Sequence, residues 1–127
     1  MIRLVINMAA VPVVGSKMIV IAEPYTTLIM DGQKTMELRR HAVRGEYFLA
    51  DSTTHTVKAK LVFGESRELC QEDYENTRDL HCVEKPAKRY KKTVGTYITS
   101  VQPLAGELSY QAKRGAIGFA KFVPGPV

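Results

Sequence analysis

The stretch richest in chemistry is Gly32-Gln33-Lys34-Thr35-Met36-Glu37-Leu38-Arg39, which sets one acid between two cations. On a helix, Lys34 and Glu37 would be neighbours while Arg39 pointed elsewhere. On a turn running into a strand, Glu37 and Arg39 share a face at i and i+2, and Thr35 lies on that face too. Lys34 then sits at the strand's entry beside Gly32 and can swing toward them. Such a trio holds a phosphate or carbonyl oxygen through Arg39 and perturbs the lysine's pKa. The competing reading is a surface ion pair between Glu37 and Arg39, worth little.

The elements around this stretch must position it. Residues 18–22 (MIVIA) form an apolar run of strand length. Pro24 at a first helical position and Gly32 just past a last one predict a helix over about 24–31. From Thr35 to Arg39, polar and apolar residues alternate, which predicts a strand. Gly45 precedes another strand through Tyr47, Phe48 and Leu49. A longer strand over about 56–63 turns Val57, Ala59, Leu61 and Phe63 inward, with Lys58 and Lys60 outward. Ser66 as N-cap, early carboxylates, and Cys70, Tyr74 and Thr77 on one side predict a single helix from Ser66 to about His81. Val94–Val101 alternates and is β-branched, hence a strand. Pro103 and Gly106 then mark a linker, and Ile117–Val123 a final strand. Five to seven mostly antiparallel strands with two helices, grouped rather than alternating, make an α+β domain with a curled sheet. Residues 1–17 read as an extension or edge strand, 18–123 as the domain and 124–127 as a tail.

Composition narrows the function. The 127 residues suit one domain, with 45% hydrophobic and 24% charged residues. No apolar run approaches the ~18 residues of a membrane span, so no membrane role is expected. Two cysteines, Cys70 and Cys82, are too few for a disulfide scaffold and predict reduced thiols in the cytoplasm. The sequence has no P-loop and no GxSxG elbow, and His41, His55 and His81 lack metal-ligand spacing, so no metal or cofactor is expected. The net charge of +5 is uneven. Seven acids and two bases lie between Glu65 and Glu84, against sixteen bases and six acids elsewhere. A basic body suits a polyanionic partner. The run Lys88-Arg89-Tyr90-Lys91-Lys92 could hold phosphates and stack a base, or could be a solvated lysine-rich loop.

Several segments, taken in order, resemble one family. Ile21-Ala22-Glu23-Pro24-Tyr25, Leu28-Ile29 and the GxKxxExR pattern from Gly32 to Arg39 resemble the ASCH (activating signal cointegrator homology) family. Gly45-Glu46-Tyr47-Phe48-Leu49 resembles its next strand. Glu107-Leu108-Ser109-Tyr110 and Arg114-Gly115-Ala116-Ile117-Gly118-Phe119 resemble its closing segment. The resemblance spans about residues 19–122. It implies a PUA-like curled β-barrel with flanking helices and a cleft beside the signature, for RNA or a modified nucleoside. Some members of that family are N4-acetylcytidine amidohydrolases, some are ribonucleases, and others are binding modules.

In the small amidohydrolases of the family the motif lysine is catalytic, with a threonine three positions on and a distant glutamate. Lys34 matches that lysine. Glu37 stands at the threonine's position, and Thr35 offers a hydroxyl nearby. Glu65, Glu72 and Asp79 are the candidates for the distant acid. The expected catalytic set is therefore Lys34, Glu37 and Thr35, and the substrate-binding set is Arg39, Arg40, Tyr25 and Tyr47. Hydrolysis of N4-acylated cytidine, cleavage of single-stranded RNA and RNA binding without turnover all stay open. A further alternative makes the acidic 65–84 segment a docking face for a protein partner.

Overall fold

The computed structural model describes residues 11–113 and 118–126. The elements are β1 (Lys17–Ile21), α1 (Tyr25–Met30), β2 (Met36–Arg39), β3 (Gly45–Asp51), β4 (Thr56–Leu69), α2 (Gln71–Asn76), α3 (Arg78–His81), β5 (Thr93–Ser109) and β6 (Phe119–Lys121). All six strands join one curled half-barrel sheet in the order β2-β5-β4-β3-β1-β6. Only β1 and β3 run parallel; the other pairs are antiparallel. The expected α+β architecture with a curled, mostly antiparallel sheet is the one observed.

Both faces of the sheet are covered, because the strands alternate between two apolar clusters. Ile19 and Ile21 of β1 join Ile29, Val43, Leu49 and Leu61 in the larger cluster, while Met18 joins Phe48, Ala50, Tyr110 and Phe122 in the smaller one. In β4, Ala59, Leu61 and Phe63 face the larger cluster as expected, but Val57 belongs to the smaller. The register slips between Val57 and Ala59, and this slip breaks the period-two rule that put all four on one side.

Three boundaries differ from the sequence reading, each for a local reason. β4 continues to Leu69, because after a register shift between Phe63 and Ser66 β5 again supplies partners: Ser66 pairs with Thr96 and Leu69 with Thr93. Ser66 is thus a strand residue, its hydroxyl 2.8 Å from that of Thr96, and the helix N-cap is Cys70. The Cys70 thiol accepts from Asp73 N–H, and the Asp73 carboxylate accepts from Cys70 N–H, closing a capping box. The predicted single helix is two short ones joined at Thr77, giving three helices where two were expected. Tyr74, Thr77 and His81 are its buried face, while Cys70 is exposed.

The predicted Pro103–Gly106 linker is part of β5, where Pro103 pairs with Ala59 at the register slip. A proline is tolerated there because a slipped position does not need its missing N–H. Pro24 is the N-cap of α1 rather than its first residue, and the Glu23 carboxylate accepts from the Thr27 N–H at 2.7 Å.

The predicted final strand starts later, at Phe119, and 114–117 lie outside the described residues, as do 1–10 of the predicted extension. Segment 11–16 is tied to the sheet's edge, with Gly15 N–H donating to Phe122 O and Phe122 N–H to Ser16 O. Pro124, read as tail, bridges to Tyr110. No helix among the described residues is long and apolar enough to cross a membrane.

Candidate functional site

The sheet's end strands, β2 on one side and β6 on the other, are not paired among the described residues, but a side chain of β2 reaches across to β6. Arg39 spans that seam from β2. Its Nε and Nη2 lie 2.9 and 2.8 Å from Glu37 Oε2, its Nη2 donates to Val20 O of β1 at 3.1 Å, and its guanidinium sits 5.2 Å from the Phe119 ring of β6. Nη1 has no acceptor among the described residues and is not a buried orphan, so it is left to meet a guest.

Lys34 arrives from the turn before β2. Gly32 takes φ +77, a conformation that suits glycine, and the N–H groups of Gln33 and Lys34 both donate to Leu28 O. The turn delivers the lysine side chain inward: the residue is only 2% exposed. Nζ donates to His81 O at 2.7 Å, lies 3.4 Å from Glu37 Oε1, and sits 5.1 Å from the Tyr25 ring centroid. Burial pushes its pKa below the ordinary lysine value, because desolvation disfavours the ammonium, while Glu37 opposes part of that shift. Glu37, 7% exposed, therefore bridges two cations inside the fold. The surface-pair reading of Glu37 and Arg39 does not survive this geometry.

The three side chains share one wall of a cavity of about 390 Å³. That volume falls in the range of small-ligand sites. Tyr25, Tyr74 and Tyr90 also line it, with an apolar floor that includes Val20, Ile21 and Leu38. From the basic loop come Lys85 and Arg89. Tyr90 is flanked by the guanidiniums of Arg40 and Arg89, 5.1 and 5.4 Å from its ring. This arrangement could grip a flat heterocycle between aromatic rings, hold an oxygen at Arg39 Nη1 and offer Lys34 as a base.

Other expected residues sit elsewhere. Thr35 precedes β2, its backbone is taken by Leu80 O and Ile98 N–H, and it does not line the cavity. The strand begins at Met36, so Thr35 does not lie on it with Glu37 and Arg39 as the alternation predicts. Tyr47 packs against Phe63 and Phe119, outside the cavity. Arg40 reaches the cavity only through Tyr90, and Lys88, Lys91 and Lys92 do not line it. Neither do Glu65, Glu72 and Asp79: the only carboxylate among the lining residues is Glu37. Among the described residues, no three His, Cys, Asp or Glu side chains gather to hold a metal ion.

The sequence reading missed Tyr74, Thr93 and Ser52 as lining residues, and it missed the carbonyl of His81 as the lysine's anchor. No residue type encodes a backbone acceptor. The helical spacing of Tyr74 and His81, by contrast, does signal that they pack together.

His81 has a pH consequence. Its ring is fully buried and stacks on Tyr74 at 4.7 Å; Nδ1 accepts from Val83 N–H at 2.9 Å, and Nε2 faces Tyr74 O at 2.8 Å. The neutral Nε2–H form satisfies both, whereas a second proton would face the Val83 N–H. Desolvation accordingly lowers the His81 pKa below 6.5. A depressed folded value means stability that is complete above pH 6.5 and declines as pH falls below it, when the unfolded chain takes up the proton first. Urea midpoints should therefore fall between pH 7.5 and 5, and His81→Gln should show a shallower fall.

Gly118 offers a second test. It takes φ +87, and a Cβ there would lie 2.6 Å from Arg39 Nη1. Gly118→Ala is expected to cost ~1–2 kcal/mol in backbone strain. It also pushes the guanidinium off its post, so ligand affinity should drop more than thermal stability explains.

No family model and no curated protein matches the chain. Among solved structures, it matches the crystal structure of a point mutant of the ZmASCH protein from Zymomonas mobilis. The TM-score is 0.64 at 10% sequence identity, over 89% of this chain and 92% of that one. The likeness is one of fold, and it makes this fold ASCH-like.

Proposed function

We propose that the cavity receives a pyrimidine base carrying an N4-acyl group, free or within RNA in the cytoplasm, and hydrolyses its amide bond. The observation that supports this best is the convergence of Lys34, Glu37 and Arg39 on one wall of a nucleoside-sized cavity lined by tyrosines. The base lies between the rings, and its acyl carbonyl points at Arg39. Burial lowers the Lys34 pKa and so enlarges the fraction present as free amine; in that form Nζ takes a proton from water as the water oxygen bonds to the acyl carbon. The carbonyl electron pair moves to oxygen, where Nη1 of Arg39 holds the charge. Collapse of this intermediate breaks the C–N bond, and the Lys34 ammonium returns its proton to the departing N4 amine. The products are cytidine and acetate. Glu37 holds Arg39 throughout and steadies the Lys34 ammonium once it forms.

One observation favours a second reading, a binding site without turnover. The Lys34 ammonium already donates to His81 O and faces Glu37, so it could serve as fixed scaffolding. Incubation with N4-acetylcytidine, followed by chromatography of cytidine and acetate, separates the two. Release of both products is expected. If neither product forms while RNA binds with steep salt dependence, the binding reading replaces the hydrolase.

A further inference from the structure

The loop over residues 83–92 has no regular structure, yet it forms a wall of the cavity through Val83, Lys85, Ala87, Arg89 and Tyr90. It is fastened from behind by three side chains of the neighbouring helices. Arg78 Nη1 donates to Val83 O and Lys85 O at 2.8 and 3.0 Å, and its Nη2 to Pro86 O at 3.3 Å. Tyr74 donates its hydroxyl to Lys85 O at 2.6 Å. Gln71 closes the set, with Nε2 donating to Pro86 O at 2.9 Å and Oε1 accepting from Lys88 N–H at 3.2 Å. The Arg78 guanidinium also lies 4.8 Å from the Tyr74 ring, so the fasteners brace one another.

Every one of these bonds goes to loop backbone and none to the Lys85 or Arg89 side chain, and among the described residues Arg89 touches only the Tyr90 ring, 5.4 Å from its guanidinium. Neither forms an ion pair among the described residues, while the cavity's single carboxylate is already bridged by Lys34 and Arg39. A neutral base does not call for that surplus of positive charge, whereas a phosphate ester does.

We infer that Arg78 and Gln71 are positioning residues, which fix the loop so that Lys85 and Arg89 meet the phosphate of a nucleotide guest and select it over the free nucleoside. This rests on the nucleoside reading of the cavity. The phosphate could belong to a mononucleotide or to RNA, and the bonds from Arg78 and Gln71 serve either. A fork of N–H donors on one guanidinium can hold several carbonyls at once, which lysine cannot reproduce. Holding the loop in place before binding also spares the guest the entropy of ordering it.

The test compares N4-methylcytidine, which carries no amide to hydrolyse, its 5′-monophosphate and a short oligonucleotide containing it, by calorimetry. The probes are applied to wild type, Arg78→Lys, Arg78→Ala and Gln71→Ala, with amide hydrogen exchange followed across 83–92. Wild type should bind the monophosphate about 10- to 100-fold more tightly than the nucleoside, as charge-assisted hydrogen bonds allow. Tighter binding of the oligonucleotide than of the monophosphate identifies RNA as the source, and equal binding identifies the mononucleotide. Gln71→Ala and Arg78→Lys should lose most of that preference and exchange faster in 83–92 only, with nucleoside affinity little changed. Equal binding of nucleoside and monophosphate by wild type overturns this inference and leaves the nucleoside site standing. Equal losses for both probes in the variants also overturn it, making Arg78 and Gln71 general scaffolding. A wild type that binds none of the three overturns the nucleoside reading and this inference together.

Discussion

Replacing Glu37 by glutamine should destabilise the protein by about 3–5 kcal/mol, the cost of leaving buried charge unpaired. Glutamine keeps the shape but removes the only anion between Lys34 Nζ and the Arg39 guanidinium. It also turns an amide N–H₂ or a weak acceptor toward two cations. The loss should appear as a lower urea midpoint with an unchanged slope. Adding Lys34→Met to the variant should recover part of it, because one of the two stranded charges is then gone. A loss under about 1 kcal/mol would return Glu37 to the class of surface pairs. That outcome would contradict the burial seen at Lys34 and Glu37.

The second large effect falls on turnover. Lys34→Met should lower the rate of N4-acetylcytidine hydrolysis by ~10²–10⁴, the usual share of a general base. Its affinity for that nucleoside should stay within about threefold, less than ~1 kcal/mol. Methionine fills the same space, and Arg39 keeps its pairing with Glu37. The wild-type rate should climb with pH as Lys34 gives up its proton, at a pH below the 10.5 of an ordinary lysine, because burial lowers its pKa. The variant should lack that limb. A Lys34→Met protein with wild-type turnover would leave hydrolysis, if present, to another group.

The sequence made the trio legible because chemistry and local geometry coincide there. GxKxxExR places a glycine bend before a short strand, and the strand period alone aligns Glu37 with Arg39. The β1–α1–β2 order is legible in an apolar run, a helix bracketed by Pro24 and Gly32 and an alternating stretch, and the strands after residues 56 and 93 are legible because their side chains alternate. What stayed hidden was set across the sheet rather than along the chain. Ser66 looked like an N-cap, and only its pairing with Thr96 makes it a strand residue. Pro103 looked like a linker until a slipped register gave it a place beside Ala59. Tyr47 and Tyr25 are equally aromatic in sequence, yet the fold sends the first to Phe63 and Phe119 and the second to Lys34. The acidic stretch divides between the end of β4, which holds Glu65 and Glu68, and two short helices, and none of its carboxylates enters the cavity. The basic run is divided by the fold. Its aromatic residue and Arg89 line the cavity, but which lysine joins them was decided by three carbonyls gathered on Arg78.

A nucleoside bound in the cavity should touch Arg39, Tyr25 and Tyr90 at once. Titrating N4-acetylcytidine into the labelled Lys34→Met protein, with no turnover to blur the spectra, should shift the Arg39 Nε–H signal and the Tyr25 and Tyr90 ring signals together, saturably. Shifts confined to the small cavity beside His55 and Tyr110, or none at Arg39 at saturating nucleoside, would contradict it.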